Sequence, residues 1–438
     1  MVRGGSVTGR DEIERVDCRQ SYRRPECPPH RISGTMTAME PAPPQTVLGM
    51  LSGTSHDAVD VAAARLRFLD PHTIALRPLG LHSEPFPDTL RALIAAVLPP
   101  ARTDLAQVCR LDTALGQFFG AVAARADTEL TGGTADLVAS HGQTVYHWVD
   151  DGRARGTLQL GAAAWIARAT SLPVLSDLRT ADLTLGGQGA PLVSLLDDLW
   201  LLGDGARRGA LNLGGIANIT VPGPAGAPRQ VIAYDLGPAN ALIDAVVTAD
   251  SGGAERMDTG GARAARGRVH PGLLERLLAE PYYRLPPPKS TGKELFHPGY
   301  PASVLRPGDP AGDDLVATLT ELTARLVGTA CRTHRLTELV VSGGGARNPV
   351  LMDRIRAAAA PAVLSTSDDH GLPAQAKEAY LFALLGFLGA HGLPGTRPSA
   401  TGASAPAVLG SWTPGAQPLR LPAPHRGTPH RLVIERAD

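Results

Sequence analysis

Two segments that each read strand, small-residue turn, strand stand roughly 160 residues apart and constrain this chain more than any other feature. The first runs from Val47 to Leu51, through the turn Ser52-Gly53-Thr54-Ser55-His56-Asp57, into Val59-Asp60-Val61-Ala62-Ala63-Ala64. The second runs from Ala210 to Thr220 with Gly214-Gly215 at its tip. Apolar runs joined by Gly- and Ser-rich turns read as hairpins, and one such hairpin per half predicts a duplicated architecture. The length agrees, because 438 residues exceed one core of ordinary size and point to two domains.

Around the hairpins, strands alternate with helices. Asp136–Ser140 reads as a strand ending at His141-Gly142-Gln143-Thr144, and Val231–Tyr234 as a strand ending at Asp235. Asn240 is expected to cap a helix from Ala241 to about Thr248. Leu315, Val316, Leu319, Leu322, Leu326 and Val327 recur at helical spacing. Leu339-Val340-Val341 forms a short buried strand that runs into Gly343-Gly344-Gly345, and Asn348-Pro349 then starts a helix, with Asn accepting backbone donors and Pro at the first helical position. This alternation is an α/β pattern. Residues 1–45 mix charge with Pro, Gly and Ser and read as a disordered lead or an over-annotated start, with Met36 or Met39 as initiator. The expected division is a domain I over 46–182, with 391–438 packing back on it, and a domain II over 183–390. Beyond Leu393 a Pro- and Gly-rich tail offers one late strand, Leu432-Val433-Ile434.

Composition narrows the function classes. Acidic and basic residues balance at 42 each and no basic run appears, so a nucleic-acid footprint is not expected. No run of 18 apolar residues exists, which excludes a membrane-spanning helix. Cys18, Cys27, Cys109 and Cys331 lack metal-ligand spacing and read as reduced thiols of a soluble cytoplasmic protein. A homodimer remains compatible with all of this.

Several groups could do chemistry. The first hairpin tip gathers backbone N–H groups, the hydroxyls of Ser52, Thr54 and Ser55, and the Asp57 carboxylate. That combination suits a phosphate chain with bound Mg²⁺, the carboxylate holding the metal's water shell, although a plain polar turn has the same composition. The triple glycine lets backbone pass close to a flat ligand at the carboxyl end of a sheet, where open α/β folds bind nucleotides. Asp235, directly before Gly237-Pro238-Ala239-Asn240, is a candidate general base; an Asp there also caps turns. His141, Gln143 and Gln188 are donors and acceptors of the kind that read sugar hydroxyls. Lys289 and Lys293, two of only three lysines, sit in Pro288-Lys289-Ser290-Thr291-Gly292-Lys293, where a contact to an anionic group and a solvated loop are both open readings.

Taken together, Met50–Asp60, Ser140–Thr144, Gly186–Leu192, Asn212–Asn218, Pro288–Gly292 and Gly343–Pro349 occur in an order that resembles the anhydro-N-acetylmuramic acid kinase family, from about Val47 to Leu409. The resemblance implies two RNase H-like domains of the actin and sugar-kinase type flanking an ATP cleft. It also implies conversion of 1,6-anhydro-N-acetylmuramic acid, ATP and water to N-acetylmuramic acid 6-phosphate and ADP in cell-wall recycling. By the same resemblance Asp235 is the catalytic base. ATP would be held by Gly53, Thr54, Ser55, His56, Asp57, Ala58, Val59 and Asp60, by Gly214 and Gly215, and by Gly343, Gly344, Gly345 and Asn348. The sugar would meet His141, Gln143, Arg179, Gln188, Asn240 and Glu378. The chain departs from the family where it has His56-Asp57-Ala58 in place of Leu-Asp-Gly, Leu236-Gly237-Pro238-Ala239-Asn240 in place of Thr-Gly-Pro-Gly-Asn, and Thr180-Ala181 in an arginine-rich stretch. A kinase of the same fold for another sugar, and a nucleotide-binding sensor without catalysis, are the alternatives those departures raise.

Overall fold

The computed structural model describes residues 43–53, 56–99, 101–150, 153–203, 206–223, 230–287, 289–292 and 295–436. The expectation for 1–45 therefore falls outside the described residues up to 42, and Gln45 already begins the first strand.

Thirteen strands form two sheets among the described residues. The first contains β1 (Gln45–Ser52), β2 (Ala58–Asp70), β3 (Thr73–Pro85), β4 (Leu137–Asp150), β5 (Arg153–Leu160) and β6 (Val174–Ser176). The second contains β7 (Arg208–Leu213), β8 (Ile216–Pro222), β9 (Val231–Pro238), β10 (Glu338–Ser342) and β11 (Val363–Thr366). Two late strands, β12 (Ser411–Thr413) and β13 (Arg431–Ile434), join the two edges of the first sheet.

Both sheets have one plan. β1, β2 and β3 form an antiparallel meander, β4 lies parallel to β1, and β6 lies parallel to β4. In the second sheet β7, β8 and β9 form the meander, β10 lies parallel to β7, and β11 lies parallel to β10. This repeated order is the duplication expected from the two hairpins and the RNase H-like architecture implied by the family resemblance. It brings the carboxyl end of β1 against the middle of β4, with Ser52 opposite Gln143, and the carboxyl ends of β7 and β10 together, with Asn212 opposite Ser342.

The first sheet is buried on both faces, and strand periodicity sorts its side chains. Val47, Ala62, Ala64 and Leu66 enter the core beneath the helix Lys377–Ala390. Leu48, Met50, Val59 and Val61 enter the core beneath the helix Leu105–Thr131. That second helix starts with a reciprocal capping box between Asp104 and Gln107 and stops at Gly132, which is left-handed. The 377–390 helix is buried on nearly all sides, as expected for a helix apolar all round. At Gly49 its backbone lies so close to β1 that a Cβ would collide with the Ala379 carbonyl and the Ala383 amide. Residues 377–390, grouped by the sequence with 183–390, therefore pack on the first sheet.

Two expected boundaries move. β4 does not stop at His141. Gly142 takes a φ of 72°, bending the chain so that Gln143–Asp150 continues as a bulged ribbon with β5. Asn240 does not cap its helix either: the Asn240–Asp250 helix is preceded by Ala239, and the Asn240 amide reaches back to β7 instead.

Candidate active site

At the end of the second sheet, chain order and glycine packing converge on one turn. The Gly214-Gly215 tip docks on the start of the 240–250 helix: Gly214 O accepts from the Asn240 backbone N–H at 3.1 Å, and Gly215 O accepts from those of Ala239 and Ala241 at 2.9 and 3.0 Å. The Asn240 side chain locks the same turn, donating to Leu213 O at 3.2 Å and Gly214 O at 2.9 Å. The triple glycine lies against it. A Cβ on Gly343, which has a φ of 87°, would stand 2.6 Å from Asn212 Oδ1, and one on Gly345 would stand 2.7 Å from Leu213 Cβ. Asn348 caps the helix Pro349–Ala359 by accepting from Leu351 N at 3.1 Å, as the sequence predicts. Gly214, Gly215, Gly343, Gly344, Gly345 and Asn348 thus belong to one backbone-lined surface, of which Gly215 and Gly344 are exposed.

Asp235 lies within β9, three residues before the strand's end, opposite Asn218 of β8 at a register shift. Contacts from three described residues hold it. Its Oδ2 accepts from Thr291 N at 2.9 Å, its N donates to Lys289 O at 3.2 Å, and its O accepts from the Tyr282 hydroxyl at 2.9 Å. The side chain is partly exposed and fixed without being sealed off. Lys289 does not present its ammonium outward: Nζ donates to the carbonyls of Tyr282 and Tyr283 and sits 4.6 Å from the Tyr282 ring centroid. Burial lowers its pKa while the Asp235 charge raises it. Lys293 lies outside the described residues.

In the first hairpin, Thr54 and Ser55 lie outside the described residues. Gly53 accepts from His56 N at 3.2 Å, and His56 takes a φ of 49°, a left-handed conformation that is costly for a side chain with a Cβ. Ala58 opens β2 and Ala239 has a φ of −115°, so neither alanine needs the positive φ that a glycine would favour. Asp57 is exposed. Its charge reaches Asp244, one helical turn beyond Asn240: burial first, then Asp57, then Asp258, push the Asp244 carboxyl up to about 7. The Asp57 charge thus lies within electrostatic reach of the helix on which the second hairpin is docked. Val59 points into the core, and Asp60, opposite Leu51, is pushed up by burial against a Ser83 hydrogen bond.

Of the expected sugar contacts, His141, Gln143, Arg179 and Glu378 gather beside this hairpin, whereas Asn240 is engaged at the Gly214-Gly215 turn. Ser52 Oγ donates to Gln143 Oε1 at 2.5 Å, tying β1 to β4. Arg179 Nε donates to His141 Nε2 at 2.9 Å, and its Nη1 donates to Gly189 O at 3.2 Å. His141 Nδ1 faces Gly142 O at 2.9 Å, so both ring nitrogens are engaged within the protein. Burial and the Arg179 charge push this imidazole down to about 3, and burial lowers Arg179 to about 10 against the pull of Glu378. Glu378, at the start of the 377–390 helix, is pushed up by burial and held down by Lys377 and Arg179, while Asp197 and Asp60 push it further up. Gln188 stands apart: its Oε1 accepts from Ala154 N of β5. A polar cavity of about 240 Å³ opens beside His141, lined among others by Asp112, Ser140, Gln159, Ser176 and Thr180. Asp177, on its rim, has a φ of 53° and accepts from the Thr180 hydroxyl at 2.6 Å.

Sequence reasoning did not single out Asp244. Its position four residues after Asn240 on a predicted helix, hence on the same face, is the signal that could have found it. It also passed over Tyr282 and the Thr291 amide, which orient Asp235 through a segment more than 40 residues away in sequence.

The family model for anhydro-N-acetylmuramic acid kinase matches residues 45–415. The chain belongs to the anhydro-N-acetylmuramic acid kinase family. A relative of that name from Streptomyces avermitilis is 57% identical over 390 residues, covering 89% of this chain and 100% of the relative. One from Rhodococcus erythropolis is 53% identical, covering 89% and 99%. Among solved structures, a ROK hexokinase from Thermus thermophilus aligns over 78% of this chain and 99% of its own at 16% identity and a TM-score of 0.32. The duplicated strand order, and not that alignment, carries the fold. The matched range spans both sheets, so it includes the Gly214-Gly215 and Gly343-Gly345 turns and the Arg179 cluster.

Proposed function

We propose that this chain takes 1,6-anhydro-N-acetylmuramic acid, ATP and water to N-acetylmuramic acid 6-phosphate and ADP, in the recycling of cell-wall material. The observation that carries this reading is family membership over residues 45–415, joined to an oriented carboxylate at Asp235 on the strand paired with the Gly214-Gly215 hairpin. ATP lies with its phosphates between the Gly53–Asp60 turn and Gly214-Gly215, and its adenosine near Gly343-Gly344-Gly345. Asp235 takes a proton from the water that bonds to the anomeric carbon. The bond from that carbon to O6 breaks, O6 takes the γ-phosphoryl group, and ADP leaves.

Among the described residues no group of three or more His, Cys, Asp or Glu side chains is placed to hold a metal ion. That suits Mg²⁺ carried by ATP, which takes most of its ligands from phosphate and water. Asp57 would supply a carboxylate to it. The elevated Asp244 facing Asp57 fits a position where a divalent cation is favourable. When bound, the ion neutralises charge on the phosphates. The protein's own part is orientation: Thr291 N aims Asp235, and His141 holds Arg179 beside Glu378 at the sugar.

Among the described residues no helix is long and apolar enough to cross a membrane. We place the reaction in the cytoplasm, where ATP is available. A coupled ADP-release assay with the anhydro sugar tests the reading. ADP production that depends on that sugar is expected, with weak competition from free hexoses and other anhydro sugars. ADP production that another sugar supports better would overturn the assigned substrate, and ATP binding with no turnover would overturn the kinase.

A further inference from the structure

Lys377 Nζ and Asp197 Oδ1 form an ion pair of 2.6 Å, with both side chains almost wholly removed from solvent at 2% and 1% exposure. The partners come from elements far apart in sequence. Lys377 opens the helix packed on the first sheet, and Asp197 lies in the helix Val193–Trp200, whose Leu195, Leu196 and Leu199 enter the same core. The other Asp197 oxygen accepts from Thr220 Oγ1 at 2.8 Å, and Thr220 is a buried residue of β8 in the second sheet. On the same 193–200 helix, Asp198 pairs with Arg397 at 2.6 Å, which fixes that helix independently.

A buried Lys–Asp pair is a weak source of stability, because the loss of hydration offsets most of the attraction and apolar side chains of similar volume often do as well. Its geometry says more. The residue after Lys377 is Glu378, beside Arg179. Two residues before Thr220 is Asn218, the cross-strand partner of Asp235. One chain of buried polar contacts therefore joins the backbone that carries Glu378 to the strand pair that carries Asp235.

We propose that Lys377 is a positioning residue for the sugar side of the site: by holding Asp197, and through it Thr220, it sets the place of Glu378 relative to Asp235. This rests on the kinase reading given above.

The test compares Lys377→Met with the double variant Lys377→Met/Asp197→Asn, in which no buried charge is left alone and Thr220 keeps an acceptor. The single variant loses thermal stability, and the double variant recovers most of it. In the recovered protein, kcat/KM for the sugar stays roughly tenfold or more below wild type while KM for ATP moves by less than about twofold. Recovery of both Tm and sugar kcat/KM overturns the proposal and leaves the pair a purely structural contact. Thr220→Val, which keeps the ion pair and removes only the hydroxyl, carries the same comparison if the double variant does not fold, with a smaller expected loss in the same parameter. Wild-type protein that releases no ADP on the anhydro sugar sinks the kinase reading itself, and this inference with it.

Discussion

Arg179 donates through Nε to Nε2 of His141 across 2.9 Å, which requires that nitrogen to be unprotonated. The histidine is pushed down to about 3 by burial and by the arginine's charge. In the unfolded chain it titrates near pH 6.5, so below that pH the unfolded state binds a proton that the folded state refuses. Stability therefore rises with pH across this window and falls as pH drops toward 3. His391, pushed down to about 4 chiefly by burial, adds to the same slope. The expected result is a Tm that declines from pH 6.5 to pH 4.5 in wild type and less steeply in His141→Gln, by calorimetry at each pH. Equal slopes in the two proteins would show that His141 is not the group held neutral.

Asp244 has the opposite dependence. Its carboxyl is pushed up to about 7, so between the usual carboxylate value and pH 7 the folded state holds a proton that the unfolded chain releases. Stability on this account falls as pH rises through that window, and the deficit is complete above pH 7. Asp244→Asn removes it. The variant is expected to unfold at a higher denaturant midpoint than wild type at pH 8 and at the same midpoint at pH 4. A variant no more stable at pH 8 than at pH 4, relative to wild type, would contradict an Asp244 carboxyl kept protonated by burial and by the Asp57 charge.

Asp235→Asn tests the assigned base. The amide keeps the side chain's shape and its oxygen can still accept from Thr291 N, so the turn stays in place while proton abstraction is lost. Turnover is expected to fall by roughly a thousandfold, within the range for loss of a general base. ATP affinity, which we propose is set at the glycine turns, is expected to stay within about a factor of three in a titration of the variant. A near-normal rate would move the role of base to another group.

What the sequence disclosed is local. The two hairpins, the Asn348-Pro349 helix start and the strand before Gly343 each follow from side chains next to one another in the chain, where turn and capping chemistry acts. What it hid is mostly long-range. Lys377 meets Asp197 across 180 positions, and β12 is a three-residue edge strand with no alternation to announce it. Asn240 shows the limit within a single residue: its type suggests a cap, but the nearby carbonyls of Leu213 and Gly214 take its amide. His141 reads as a sugar contact because it follows a strand, whereas the fold engages both its nitrogens within the protein.

Gly49 links this packing to the site, because the backbone of the 377–390 helix occupies the space where a side chain would begin. Gly49→Val therefore cannot be absorbed by a rotamer change. The helix must move off β1, and Glu378 in its first turn moves with it. The cost in stability is expected at roughly 3 kcal/mol, at or above the upper end for overpacking a core. Glu378 moves with the helix, whereas Gly214-Gly215 and Gly343-Gly344-Gly345 lie on the second sheet, so the surviving folded protein should lose more affinity for the sugar than for ATP. Chemical denaturation gives the first quantity, and separate titrations with the nucleotide and the sugar give the second. Equal losses for both ligands would mean that the 377–390 helix supports the two binding regions alike.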